Sequence, residues 1–116
     1  MNASIISKEK VAGTVLDALA KELPAIIAEE LDVPGGNLAP LKAEQISLAF
    51  SLANRRDTGS DVRIMAFARS NKTRTSTENE LANTIKEKVV SVIARCGESY
   101  SVDIRLYFMD VGMSVG

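Results

Sequence analysis

The chain has 116 residues, 46% of them hydrophobic and 25% charged, the proportions of one folded domain and too charged for a protein buried in lipid. Its 14 basic side chains balance 15 acidic ones, so it lacks the large positive excess typical of nucleic-acid binders. Histidine is absent, which removes the usual base near neutral pH, the commonest metal ligand, and any Ser-His or Cys-His nucleophile.

No apolar run reaches the roughly 18 residues that a membrane-spanning helix needs, so no membrane partner is expected. Cys96 is the sole cysteine, which excludes an intrachain disulfide. With no charged-then-apolar leader, the expected location is cytoplasmic. A single domain over 1–116 is expected.

In chain order, MNASII fits either a short strand or an arm lying on the core. Ser7 is placed to cap a helix starting at Lys8, because its hydroxyl can accept from an open amide. Val11, Val15, Leu16, Leu19 and Leu23 then recur at helical spacing. Pro24 lacks the donor that a helix interior requires, which predicts a break or kink in a helix spanning about 8–31. Asp32, Val33, Pro34, Gly35 and Gly36 form a strong stop.

The period then changes to two. Ile46, Leu48, Phe50 and Leu52 alternate with small or polar residues, as in a half-buried strand. Residues 54–61 are polar and contain Gly59, which predicts a hairpin joining two antiparallel strands. The second strand, 62–68, places Val62, Ile64 and Ala66 on one face and Met65 and Phe67 on the other. Thr77 and Glu80 have capping-box spacing. The helix that follows has Leu81, Ile85, Val89, Val92 and Cys96 on one face, widened by Val90 and Ile93. Gly97 suits its C-terminal cap. The last strand, 101–109, alternates Val102, Ile104, Leu106 and Phe108 with Asp103, Arg105, Tyr107 and Met109.

These segments predict a two-layer α+β domain: a small mixed or antiparallel sheet with helices on one face. Met65, Phe67, Tyr107 and Met109 oppose the main apolar sets. A cluster of large hydrophobes left uncovered predicts self-association, as a dimer or trimer.

The stretches AEQISLAFSLANRRDTGSDVRIMAFARSN and ENELANTIKEKVVSVI resemble the hairpin and helix of the carboxymethyl-hydroxymuconate isomerase branch of the tautomerase superfamily. SVDIRLYFMD is similar to that branch's last strand. The resemblance implies two β-α-β halves, trimers or hexamers, and an N-terminal proline amine as catalytic base. It also implies an arginine, such as Arg69, for a substrate carboxylate. Position 2 is Asn2, so proline-based chemistry is expected to be absent or weak. A second resemblance is to ribosome-binding factors with KH-like folds, without the GxxG clamp that grips RNA.

The candidate site residues follow from position. Arg69 and Arg74, with Lys72, lie between a strand end and a helix start, where open amides attract anions. Asp103, Arg105 and Tyr107 share a strand face and can line a pocket, the tyrosine supplying a phenol donor. Arg69, Arg74, Arg105 and Tyr107 therefore make up the candidate ligand-binding set. No catalytic residue, metal ligand or cofactor is assigned. The expected function is an oligomeric protein that binds a small anionic molecule or acts as an interaction protein. The alternatives are a tautomerase- or isomerase-like enzyme and an RNA-associated KH-like factor, although nucleic acid is not an expected partner.

Overall fold

Residues 2–7 alternate buried and open positions, and that alternation decides the centre of the molecule. In the computed structural model, which describes residues 1–31, 42–69 and 78–109, they form strand β1 (Asn2–Ser7). Ala3, Ile5 and Ser7 are buried. Helix α1 (Gly13–Leu31) follows, then a short 3-10 turn (Ala43–Gln45) and strand β2 (Ser47–Leu52). The second half repeats the plan with β3 (Val62–Arg69), α2 (Glu78–Arg95) and β4 (Val102–Met109).

The strands form one sheet in the order β2-β1-β3-β4. β1 pairs parallel with β2, and β3 parallel with β4, while β1 and β3 run antiparallel. Each parallel pair is joined through its helix, as such pairs must be. The result is two β-α-β units side by side, with both helices on one face of a mixed sheet.

This topology corrects one expectation and decides between two alternatives left open. β2 and β3 do not pair as a hairpin, because β1 lies between them. The segment 2–7 is a central strand rather than an arm: Ile5 sits between Phe50 on one side and Ile64 on the other. A two-residue period in each strand reveals its faces but not its neighbours.

The start of α1 also differs. Ser7 ends β1 instead of capping a helix, and α1 begins at Gly13. The intervening turn is held by Lys8 N–H donating to the Asp61 carbonyl at 2.9 Å and Val11 N–H to the Lys8 carbonyl at 3.0 Å. The phenol oxygen of Tyr100 accepts from Ala12 N–H at 3.0 Å, so a distant side chain satisfies an open amide at the helix start.

Pro24 lies inside α1, which does not end there. Leu19, Leu23, Ile27 and Leu31 are fully buried on either side of it. Burial of each such side chain contributes about 1.5–3 kcal/mol. An interior proline costs about 3 kcal/mol, so tertiary packing outweighs it.

The core joins Ala3 and Ile5 of β1 and Val62, Ile64 and Ala66 of β3 to the apolar stripes of both helices. On α2 the stripe is narrower than its composition implies, since Val90 is exposed. Between the helices, Lys88 pairs with Glu30 and Glu29, and Arg95 with Glu22 at 2.7 Å. The Glu30 hydrogen bond, ahead of other influences, raises the Lys88 ammonium above its ordinary value. Gly97 takes φ +78°, the left-handed C-cap that glycine adopts without strain.

Candidate functional site on the open face of the sheet

The helices cover one sheet face. Strand register assigns the other face to Asn2, Ser4 and Ile6 of β1, Arg63, Met65 and Phe67 of β3, and Asp103, Arg105 and Tyr107 of β4. None of these nine is buried. The separation of Met65, Phe67 and Tyr107 from the core-facing set is as the alternation predicts.

One end of this face concentrates chemistry. β1 and β2 begin there and β3 and β4 end there. The antiparallel register sets Asn2 opposite Phe67, and the parallel register sets Tyr107 opposite Phe67. The Phe67 and Tyr107 rings stack with centroids 5.1 Å apart and planes 14° from parallel. Both remain more than a third exposed, at 36% and 38%, so the pair forms an aromatic ledge open to a ligand or partner. Beside it, the Met1 nitrogen donates to the Gln45 carbonyl at 3.1 Å and Ser47 N–H donates to the Met1 carbonyl at 2.9 Å. These bonds fix the start of β1.

Arg105 lies two residues before Tyr107 on the same face. Its Nε donates to Asp103 Oδ2 at 3.1 Å. A hydrogen bond with the Tyr107 side chain, and secondly one with Asp103, raise its pKa still further above the ordinary arginine value. The guanidinium is therefore a permanent cation on an open face.

Farther along, Arg63 Nη2 donates to Asp57 Oδ2 at 2.6 Å, while its Nε is buried without a hydrogen-bond partner. Asp57 Oδ1 accepts from Gly59 N–H at 2.7 Å. That backbone bond first, and Arg63 second, hold the Asp57 carboxyl below the usual range. A Cβ at position 59 would lie 3.1 Å from Asp57 Oδ1 and 3.2 Å from Arg63 Cζ. A side chain at Gly59 would thus press on both partners of the Asp57–Arg63 pair and displace them by a few tenths of an ångström.

The fold brings Arg105 and Tyr107 together with Phe67. Arg69 is placed by its backbone alone, at the end of β3 in register with Met109. Arg74 lies outside the described residues. Arg63 and Asn2 join the open face although sequence reasoning left them out of the site. Arg63 shares the odd-numbered face of Met65 and Phe67, whereas the place of Asn2 depends on β1 pairing with β3, which no local signal encodes. Among the described residues no group of three Asp, Glu, His or Cys side chains is disposed to hold a metal ion. No helix of the described residues is long and apolar enough to cross a membrane.

Chemically, the face offers a cation, a phenol and an apolar ledge in a row. That set can neutralise a carboxylate, donate a hydrogen bond to an oxygen and stack against a planar group.

Comparison of the whole fold with solved structures supplies the wider context. The structure of malonate semialdehyde decarboxylase, studied as wild type, mutant and inactivated enzyme, superposes with a TM-score of 0.64 at 14% identity, over 100% of this chain and 91% of that one. A fused 4-OT, solved as a symmetric trimer, gives 0.65 at 13% identity, over 100% and 94%. N1, a member of the cis-3-chloroacrylic acid dehalogenase family, gives 0.62 at 16% identity, over 95% and 76%. The chain has a tautomerase-superfamily-like fold. At these identities the likeness establishes architecture alone. No protein-family model matches the sequence, and no curated protein matches it.

Proposed function

We propose that this tautomerase-like chain is a homo-oligomeric, isomerase-type enzyme acting on a small carboxylic acid at the Asn2–Phe67–Tyr107 end of its open sheet face. In this reading Arg105 takes the carboxylate, Phe67 and Tyr107 form the wall for a planar carbon skeleton, and the Tyr107 hydroxyl donates to a carbonyl or enolate oxygen. Arg69, at the end of β3, is proposed as the second cation of the site. The single observation that carries the reading is the stacked, half-exposed Phe67–Tyr107 pair beside Arg105, at the strand end where β1 begins.

Two of the similar proteins carry names built on small acids, malonate semialdehyde and cis-3-chloroacrylic acid, which supports the substrate class. One is a trimer. That supports self-association here, because the exposed ledge is the kind of apolar surface that a neighbouring copy or a ligand covers. Asn2 stands where a proline amine is implied, and a carboxamide is not a base at neutral pH. Solvent water therefore takes the α-proton and returns it, with Arg105 holding the carboxylate and Tyr107 donating to the enolate oxygen, and turnover is expected to be slow.

Keto-enol exchange of phenylpyruvate, followed by absorbance, tests this directly. The expected result is slow, saturable turnover that falls in Tyr107→Phe and Arg105→Gln. Saturable binding without turnover would keep the carboxylate site and remove the enzyme. Turnover unchanged in both variants would remove the site.

A further inference from the structure

Two features of the open face are unexplained by the proposed site. Arg63 keeps a buried Nε–H with no acceptor, although its other end is pinned by Asp57. An unsatisfied buried donor on a charged group is costly, and such groups usually have a partner in some state of the protein. Asp103 is in register with Arg63 across the parallel β3–β4 pair, yet it is bound to Arg105 instead.

The three residues form a row. Asp103 lies on the same face as both arginines, opposite Arg63 on the neighbouring strand and two positions before Arg105 on its own. Adjacent strands run about 4.8 Å apart, so rotation of the short Asp103 side chain carries its carboxylate from one arginine to the other. In the structure it neutralises Arg105, the cation that a substrate carboxylate needs. The Arg105–Asp103 ion pair is open to water, with side chains 64% and 38% exposed, and pairs of that kind exchange at small cost. Asp57 fixes the Arg63 guanidinium in place, so only the atoms that bury its Nε have to part for Asp103 to reach it.

We propose that Asp103 is a positioning residue that exchanges partners: a carboxylate ligand displaces it from Arg105, and Asp103 moves to the vacant Nε–H of Arg63. This inference rests on the carboxylate-binding reading of Arg105 and adds to it a built-in competitor. The ligand must outcompete Asp103, so weak or uncharged molecules are rejected. The displaced charge is received by a donor already in place.

The experiment is an NMR titration of the full chain with phenylacetate, an unreactive carboxylate carrying a planar ring, reading the arginine Nε–H signals. At saturation the Arg63 Nε–H signal of the wild type shifts and becomes protected from exchange with water. In Asp103→Asn that shift is absent, and the probe binds about two- to fivefold more tightly, the factor expected from removing an exposed ion pair. Arg63→Lys, which keeps a cation for Asp57, weakens binding by a similar factor in the wild-type background and has no effect in Asp103→Asn.

An Arg63 Nε–H signal unmoved at saturation overturns the exchange, as does an Arg63→Lys effect equal in both backgrounds. Either leaves carboxylate binding by Arg105 standing. Binding seen only with Asp103→Asn also overturns it, since Asp103 then blocks the site instead of leaving it. No binding to either protein removes the exchange and the proposed function together.

Discussion

Asp61 and Ser101 hold each other by two hydrogen bonds where the parallel strands β3 and β4 begin. Asp61 N–H donates to Ser101 Oγ at 2.8 Å, and Ser101 N–H donates to Asp61 Oδ2 at 3.1 Å. Lys10 Nζ lies 3.2 Å from Asp61 Oδ1, and Asp61 is itself buried. Parallel strands have no tight turn to set their register, and this side chain to backbone exchange does so instead. Burial pushes the Asp61 carboxyl upward, but the Ser101 backbone bond and Lys10 outweigh it and leave it below the usual carboxylate range.

That balance has a sign in stability. A carboxyl whose folded-state pKa is lowered stabilises the fold above its unfolded value, about 3.9 for Asp. The stabilisation is lost as pH falls through the folded value. Asp61→Asn is expected to cost about 1–3 kcal/mol at neutral pH. Thermal melts from pH 7 downward should show the gap between wild type and variant closing in acid. A constant gap would mean that the charge at Asp61 contributes nothing.

Phe67→Glu places a charge on the aromatic ledge of the open face. The wild type is expected to scatter light as a multiple of its 12.5 kDa chain mass, and the variant to shift toward the single chain. A wild type that stays at 12.5 kDa across the accessible concentrations removes self-association and leaves the fold untouched.

Gly97 has open space around the position of a Cβ but sits at φ +78°. The cost of Gly97→Ala is therefore purely conformational, about 1 kcal/mol. Urea unfolding should show a lower midpoint at an unchanged slope. A loss above about 3 kcal/mol would point to a contact rather than a dihedral penalty.

Pro24 tests the opposite case. If packing holds α1 together across it, restoring the missing donor with Pro24→Ala should stabilise the protein by roughly 1–3 kcal/mol. A destabilised Pro24→Ala would show that the ring itself fills space in the core.

Much of the fold is legible in the chain. The period-two runs of β3 and β4 mark the strands and also their faces, because alternation along a strand is a local property. Odd and even positions alone thereby separate Phe67 and Tyr107 from Ile64 and Leu106. The Thr77 capping position and Arg74 lie outside the described residues. β1 is the element the sequence leaves open. Its six residues fit strand or arm equally well, and without it the polar loop 54–61 reads as a hairpin between neighbours.

The candidate site depends on that undetermined pairing. Asp103, Arg105 and Tyr107 are two residues apart on one strand, so their sharing a face follows from the sequence alone. The stack of Phe67 on Tyr107, the position of Asn2 beside them, and Arg63 standing opposite Asp103 follow only from β1 entering between β2 and β3 and from the parallel register of β3 with β4. Amino-acid order fixes what each element buries, because periodicity and burial act over a few neighbouring residues. Which strand lies beside which is decided by the whole core at once: in the order β2-β1-β3-β4, Ile5 and Ile64 are neighbours in one core with the apolar stripes of both helices.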